Sequence, residues 1–335
     1  MNSVMEGKEK KEVINVKSIS GTAPPSPEIV TGGRGRRLWQ QIVAHKWIYL
    51  LVLPGLLYFL VFRIAPMWGL LLAFKDYNPY LGFMSSEWVG LQHFRELFSS
   101  SKFYIMLRNT FVINLFGLVF FFPLPILLSL MLNEVRHDLF KRINQSIVYL
   151  PHFLSWVVVA SMTFFILSTD IGIVNKIIYA MGFETVSFLS NPNYFWGIIT
   201  AQNIWKEVGW GTIIFLAAIA GVDPQRYEAA VVDGASRLRQ IWHITLPAIR
   251  PTIIILLILR LGNMADVGFE QILLMMNPLV MSTAEVFDTY AYVHGILQGQ
   301  VSIGVTVGMF KGVVGLVLVL GSNYVVKRLG HEGIY

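Results

Sequence analysis

Long apolar runs alternate with short polar ones along this chain. The runs fall at about 47–72, 108–132, 145–168, 194–221, 248–265 and 302–326, and apolar character returns at 272–276. Each is close to the roughly 20 residues that an α-helix needs to cross the hydrocarbon of a bilayer. The pattern predicts an all-α, polytopic membrane protein with six transmembrane helices. Pro123 and Pro125 interrupt the second run, which lipid tolerates where neighbouring helices satisfy the freed carbonyls. Between the runs, 75–106 is polar and aromatic and predicts an external loop or short helices. A short basic loop is expected at 133–142. Residues 170–193 are too mixed to cross twice, and they predict a surface excursion with an amphipathic piece at 173–181. A further external loop follows at 277–301.

Ahead of the first run, residues 1–33 hold KEKKE, APPSP and TGG and few apolar positions. They predict a disordered cytoplasmic tail, about 1–40, in front of a membrane domain at 41–335. No apolar core follows the first charges, so the start does not read as a signal peptide. The whole chain is 55% hydrophobic and 14% charged, too apolar for an ordinary soluble domain. A net charge of +6 raises the question of nucleic acid. The basic residues sit at the ends of the runs rather than in one patch, so no nucleic-acid partner is expected. With no cysteine in the chain, disulfides, thiolate metal sites and a cysteine nucleophile are excluded.

Lysine and arginine also set the orientation. Of 26 basic residues, 17 lie in the tail, 133–142, 222–250 and 327–335, only 5 in the opposite loops, and 4 within the runs. The positive-inside rule therefore predicts that both termini and the segment at 222–250 face the cytoplasm.

That segment carries the sharpest local signal. DPQRYEAAVVDGASRLRQIWHITLP, 223–247, is polar and charged between two spanning runs. Asp223 suits a helix N-cap and Pro224 the first turn. A short helix over roughly 224–233 should carry Tyr227, Ala230 and Val231 on one face. Gly234 then sits where a helix stops in a left-handed residue. Ser236 caps a second short helix to about Ile244, which Leu246-Pro247 is expected to end. The product is a helix–turn–helix elbow at the membrane surface.

Glu228-Ala229-Ala230, three residues, Gly234, nine residues, then Ile244-x-Leu246-Pro247 resembles the EAA loop of ATP-binding-cassette (ABC) importer permeases of type I. The resemblance implies a loop that docks in a groove on a separate ATPase. It assigns Tyr227, Glu228, Ala229, Ala230, Asp233, Gly234, Arg237, Leu238, Ile244, Leu246 and Pro247 to that coupling. Glu228 and Arg237 would be polar contacts, and Tyr227, Ala230 and Leu238 apolar ones. A second pattern, Phe74-Lys75-Asp76-Tyr77-Asn78 followed by Val89-Gly90-Leu91-Gln92-His93-Phe94, is similar to the first external region of carbohydrate-uptake permeases. The sequence especially resembles the branch of oligosaccharide and polysaccharide permeases that includes the LplB-type proteins. The resemblance covers about residue 40 to the end. It implies a MetI-like fold in a bacterial plasma membrane, forming half of a pore with a second, related permease. Two ATP-binding subunits, an extracellular solute-binding protein and an oligosaccharide complete the implied system.

No G-x-x-x-x-G-K-[ST], H-E-x-x-H or G-x-S-x-G occurs, so neither a nucleotide loop nor a catalytic constellation is expected. No metal or organic cofactor is expected on this chain; ATP and Mg would belong to the partner ATPase. His137-Asp138 lies in a basic loop and reads as solvated. Polar residues inside the runs are another matter, because they face a cavity or a partner. Asn203 and Glu207 share a helix face. Asn263, Asp266 and Glu270 fall on a second helical stripe, at steps of three and four. Together with Trp205 they are the candidate substrate pathway, and Trp196 and Trp210 are further aromatic platforms for sugar rings. A pairing of Lys206 with Glu207 and of Arg260 with Asp266 fits the same residues equally well, and Arg260 and Lys311 lean towards pairing. Gly304, Gly308, Gly312 and Gly315 form a ridge for close helix approach, within the bundle or against a partner permease.

Two alternatives remain on the sequence. One is an ABC permease for a phosphate, amino acid or peptide. The other is an ATP-independent channel or secondary transporter.

Overall fold

The structure, a computed structural model, describes residues 43–328 and Gly330; the tail expected at 1–40 lies outside them. The chain divides into two units, Met1–Ala65 and Pro66–Tyr335. In the first, the described part is the helix Lys46–Phe59 and a π-turn at Leu60–Ile64. None of their residues is buried, and apolar side chains run all the way round. That is the composition of a helix surrounded by lipid.

The helical run continues as a 3₁₀ stretch, Ala65–Phe74. A two-residue antiparallel ladder then pairs Lys75 with Trp88 and Asp76 with Glu87. Phe74 stacks on Trp88 at 5.8 Å, nearly parallel, and tilts against Phe94 at 5.6 Å. Ser302 Oγ donates to Lys75 O at 2.6 Å and accepts from Tyr77 N–H at 3.0 Å. The aromatic segment is therefore a folded cap, tied to the first turn of the last helix.

Ser100 caps the second span, accepting from Lys102 N–H at 3.2 Å. The span runs from Ser101 to Glu134, longer than 108–132. Its prolines are absorbed by a π-turn at Gly117–Phe121, where Phe122 N–H reaches Gly117 O at 3.0 Å. One wide turn shifts the ladder so that Pro123 starts a new α segment, where its missing N–H costs nothing.

Two expectations are corrected next. The loop at 133–142 is reduced to 135–137, because Asp138–Tyr149 is helical. The third span is not straight: Asp138–Phe153 and Trp156–Leu167 meet at 99°. Pro151 offers no donor, Leu154 and Ser155 are extended, and Ser155 Oγ caps the next helix through Val158 N–H at 3.4 Å. The amphipathic piece at 173–181 appears as the helix Ile173–Ala180.

The fourth span, Pro192–Ala220, is the centre of the bundle. It bends by 71° into the first elbow helix. Gly209 lies against the Val148 carbonyl so closely that a Cβ would overlap it. Glycine there lets the two helices cross with backbones touching. The fifth span is continuous from Arg237 to Gly262, and the expected stop at Leu246-Pro247 is corrected. A π-turn at Ile241–Thr245 places Leu246 and Pro247 at the start of the following α segment. Proline there lacks only an N–H that has no helical partner.

The helix does end at Gly262, and the chain re-forms a helix only at Phe269. Between them Gly268 takes φ +73°. The stripe of Asn263, Asp266 and Glu270 therefore does not exist as one helix face. Short helices follow at Met281–Ala284 and Phe287–Tyr290. The sixth span is Val301–Arg328. Its glycine ridge splits by use: Gly304 meets Gly295, Gly315 meets the Gly262 carbonyl, and Gly308 and Gly312 face open space. Counting each bent pair once, six helical runs among the described residues have the length and composition to cross a membrane.

Apolar packing holds this arrangement at both ends. Ile113, Phe195, Ile199, Val267, Ile272 and Val286 are buried together at one end. Leu130, Phe215, Ile219 and Ile249 are buried at the other, with Ile241 and Leu246 against them. The second cluster fastens the elbow's base to the bundle.

Candidate functional site

The elbow is built by its caps. Asp223 Oδ1 accepts from Gln225 N–H at 3.0 Å and opens the helix Pro224–Val232. The helix closes in a Schellman turn: Gly234 N–H reaches Val231 O at 3.0 Å and Ala235 N–H reaches Ala230 O at 2.8 Å. Gly234 sits at φ +73° with no atom near an added Cβ. Its requirement is conformational rather than steric. Ser236 Oγ accepts from Arg239 N–H at 3.4 Å and starts the second arm.

Tyr227 turns its hydroxyl to the elbow's second arm. It lies 2.9 Å from Thr245 Oγ1 and ties the first arm to the π-turn of the second. Leu246 likewise faces inward, into the packed base. Glu228, Ala229, Asp233, Arg237 and Pro247 are exposed, and Ala230 and Ile244 are partly covered. Val231, Val232, Leu238 and Trp242 are 59%, 87%, 66% and 62% exposed. A polar elbow thus carries a crest of large apolar side chains, which a docking surface needs and a free loop does not. Beside it lies a cleft of about 470 Å³ between Asn133–Arg136 and the elbow, lined by Glu228, Arg237 and Gln240 among others. Arg237 reaches Glu134 across it at 4.0 Å.

Deeper in the bundle the polar residues separate into three groups. At the 99° bend, His152 Nδ1 lies 2.7 Å from Glu207, Lys206 Nζ is 3.3 Å from the same carboxylate, and Trp210 stacks on the His152 ring at 4.4 Å. Lys206 also donates to His152 O. Glu207 and Trp210 both engage His152 and so pack at the bend. Trp196 is likewise structural: its Nε1–H donates to Thr283 O at 2.9 Å. Trp205 is exposed on the outside of its helix.

The second group is an ion triad. Lys311, in the last helix, reaches Asp266 at 2.7 Å and is hydrogen-bonded to Asp288. It joins the broken end of the fifth span to the short helix Phe287–Tyr290. Asn263 and Asp266 border a cleft there with Gly308 and Gly312. Glu270 is exposed and joins neither group.

The third is a chamber of about 200 Å³ bordered by Asn114, Thr200, Asn203, Arg260, Asp266 and Gln271. Two of its amides, Gln271 and Asn114, are fixed by hydrogen bonds. Gln271 Nε2 donates to Ile199 O and Gln202 Oε1 at 2.8 and 2.9 Å, and Gln202 Nε2 donates to Thr163 Oγ1 at 2.6 Å. Asn114 Nδ2 donates to Met264 O at 2.8 Å and so supports the break after the fifth span. Of the predicted pathway residues, Asn203 and Asp266 meet here. Gln271, Asn114 and Thr200 were missed, although an amide inside an apolar run was the available signal. Arg260 is not paired with Asp266; its Nε is buried with no hydrogen-bond partner among the described residues.

A membrane bundle with a polar chamber inside and an apolar-crested elbow outside fits the build of a transport subunit. Residues 121–331 match the family described as "Binding-protein-dependent transport system inner membrane component". The chain belongs to that family and is a multi-pass permease subunit of an ABC importer. It is 52% identical to Protein LplB of Bacillus subtilis (strain 168), over 92% of this chain and 96% of that one. It is 49% identical to the polygalacturonan/rhamnogalacturonan transport system permease protein YteP of the same organism, over 96% and 100%. Its fold is similar to a chain in the crystal structure of a bacterial alginate ABC transporter in complex with an alginate pentasaccharide-bound periplasmic protein. That match has a TM-score of 0.82 and 42% identity, over 89% of this chain and 100% of that one.

Proposed function

We propose that this permease forms half of the pathway of a saccharide importer and is driven through its elbow by a separate ATPase. A second, related permease completes the pathway, two ATP-binding subunits hold ATP and Mg, and an extracellular solute-binding protein delivers an oligosaccharide. Both termini and the elbow face the cytoplasm, which the distribution of basic residues supports. The observation that carries the coupling role is the crest of Val231, Val232, Leu238 and Trp242 around the left-handed Gly234. ATP binding closes the ATPases, which draws the elbows together and tilts the spans so that the chamber opens outward. ATP must bind the closed state more tightly than the open one to supply that shift. The named sugar transporters among the relatives support the substrate class.

Because the chain contains no cysteine, Leu238→Cys introduces a single reporter. Cross-linking in membranes of the assembled importer should join it to the ATPase and change with nucleotide. A cysteine at 238 that reacts only with lipid-side or aqueous reagents, and never with an ATPase, would refute the reading. ATP-independent uptake by the same membranes would favour a secondary transporter instead.

A further inference from the structure

The chamber holds a cation that nothing in the described bundle neutralises. Arg260 lies in the fifth span, with its guanidinium over the Phe121 ring at 5.6 Å. It sits against the π-turn at Gly117, where an added Cβ would collide with the guanidinium. Its Nε is buried without a hydrogen-bond partner. The nearest carboxylate bordering the chamber, Asp266, is engaged by Lys311 at 2.7 Å. Gly117, Asn203 and Arg260 border the same chamber and lie in three helical segments long and apolar enough to cross a membrane. A charge within such a segment, left without a counterion yet given room by a glycine, is the signature of a ligand site rather than of a structural pair.

The polar neighbours narrow the ligand. Asn203 and Thr200 border the same space, and amides and hydroxyls suit the ring hydroxyls of a sugar. The planar fork of a guanidinium suits a carboxylate, which it binds through two parallel N–H···O bonds. Resting on the saccharide reading above, we infer that Arg260 is the counterion for a sugar carboxylate. The substrate class is then uronate-containing oligosaccharides, and Arg260 sets the preference for charged over neutral rings.

The test uses the complete importer in proteoliposomes with its binding protein. The probes are partially methyl-esterified trisaccharides of galacturonate and of mannuronate, offered as mixtures of zero to two esters. Mass spectrometry reads the ester content of the sugar imported and, separately, of the sugar held by the binding protein. The wild type should import carboxylates enriched at least about fivefold over the bound pool. Arg260→Gln should erase that enrichment, Arg260→Lys should keep most of it, and Gly117→Ala, which displaces the guanidinium, should reduce it. Import by the wild type without enrichment overturns this inference and leaves the saccharide reading standing. Enrichment unchanged in Arg260→Gln also overturns it. Should Arg260→Gln fail to assemble, enrichment unchanged in Gly117→Ala overturns it. Binding and import of none of the probes by the wild type overturns this inference, and the saccharide reading falls with it when neutral oligosaccharides are refused too.

Discussion

The elbow and the chamber are both polar islands in an apolar chain, but they are made in different ways. The caps that shape the elbow's turn join residues within six positions of each other: Asp223 to Gln225, Ala235 to Ala230, Ser236 to Arg239. The chamber is made by residues far apart in sequence, such as Asn114 to Met264 and Gln271 to Gln202. A local device can be rigid in a membrane protein whose helices move around it. A chamber built across helices must change shape whenever they tilt. That division suits a lever outside and a gated cavity inside.

The largest expected effect breaks the lever while sparing the bundle. At φ +73° a β-branched residue is strained by roughly 1–3 kcal/mol, and Gly234 has no side-chain neighbours to relieve or worsen it. Gly234→Val should lower transport at least about tenfold at normal expression, whereas Gly234→Asn, which tolerates the left-handed region, should retain much of it. Uptake assays on membranes matched for permease content decide. Equal activity of the two variants would mean that the turn's handedness does not matter for coupling.

Next, read in stability rather than in transport, is the ion triad of the bundle. Lys311 and Asp288 are mostly buried, and removing one partner of such a pair leaves an uncompensated charge, at a cost of about 3–5 kcal/mol. Lys311→Met should therefore lower the melting temperature of the detergent-solubilised importer. Adding Asp288→Asn should restore part of the loss, since it removes the stranded carboxylate. A double variant no more stable than the single one would show that the triad is not what Lys311 stabilises.

How much of this was legible in the sequence follows the same local–distant line. Asp223, Gly234 and Ser236 announced their caps because each acts within one turn of itself. Six apolar runs announced six spans because lipid selects for length and composition alone. What the sequence hid depends on neighbours. Leu246-Pro247 looked like a stop, yet the π-turn at Ile241–Thr245 moves the proline to a position where it is harmless. Asn263, Asp266 and Glu270 looked like one stripe, yet the chain breaks at Gly262, where Val319 of the last helix presses in and Asn114 captures the freed Met264 carbonyl. Glu207 and Trp210 looked like pathway residues, yet His152, more than fifty positions away, takes both. Intramembrane polarity flags a residue as important without saying which partner satisfies it.

A smaller effect sharpens the view of the elbow as one rigid piece. Tyr227→Phe removes the link to Thr245 while keeping the ring. A single hydrogen bond of this kind contributes about 0.5–1.5 kcal/mol. Melting temperature should fall slightly and coupling should loosen: ATP hydrolysis per sugar imported should rise, with expression unchanged. Unaltered stoichiometry would place the stiffness of the lever elsewhere, in the packed base around Leu246.

The smallest structural effect is expected at Arg237, and it gives the cleanest separation of the elbow's own stability from its work. Arg237 and Glu134 are 4.0 Å apart and Arg237 is 64% exposed. Exposed pairs of this kind contribute about 0–1 kcal/mol and are screened by salt. Arg237→Ala should therefore leave the permease's melting temperature nearly unchanged. If Arg237 instead contacts an ATPase groove, the same variant should weaken capture of the ATPase subunits, and added salt should mimic it in the wild type. The two quantities come from one preparation: melting of the permease and the amount of ATPase retained on it. Loss of ATPase with melting unchanged puts the side chain's role at the interface. A drop in melting temperature with ATPase retained would reverse the assignment and make the Glu134 contact a structural strut.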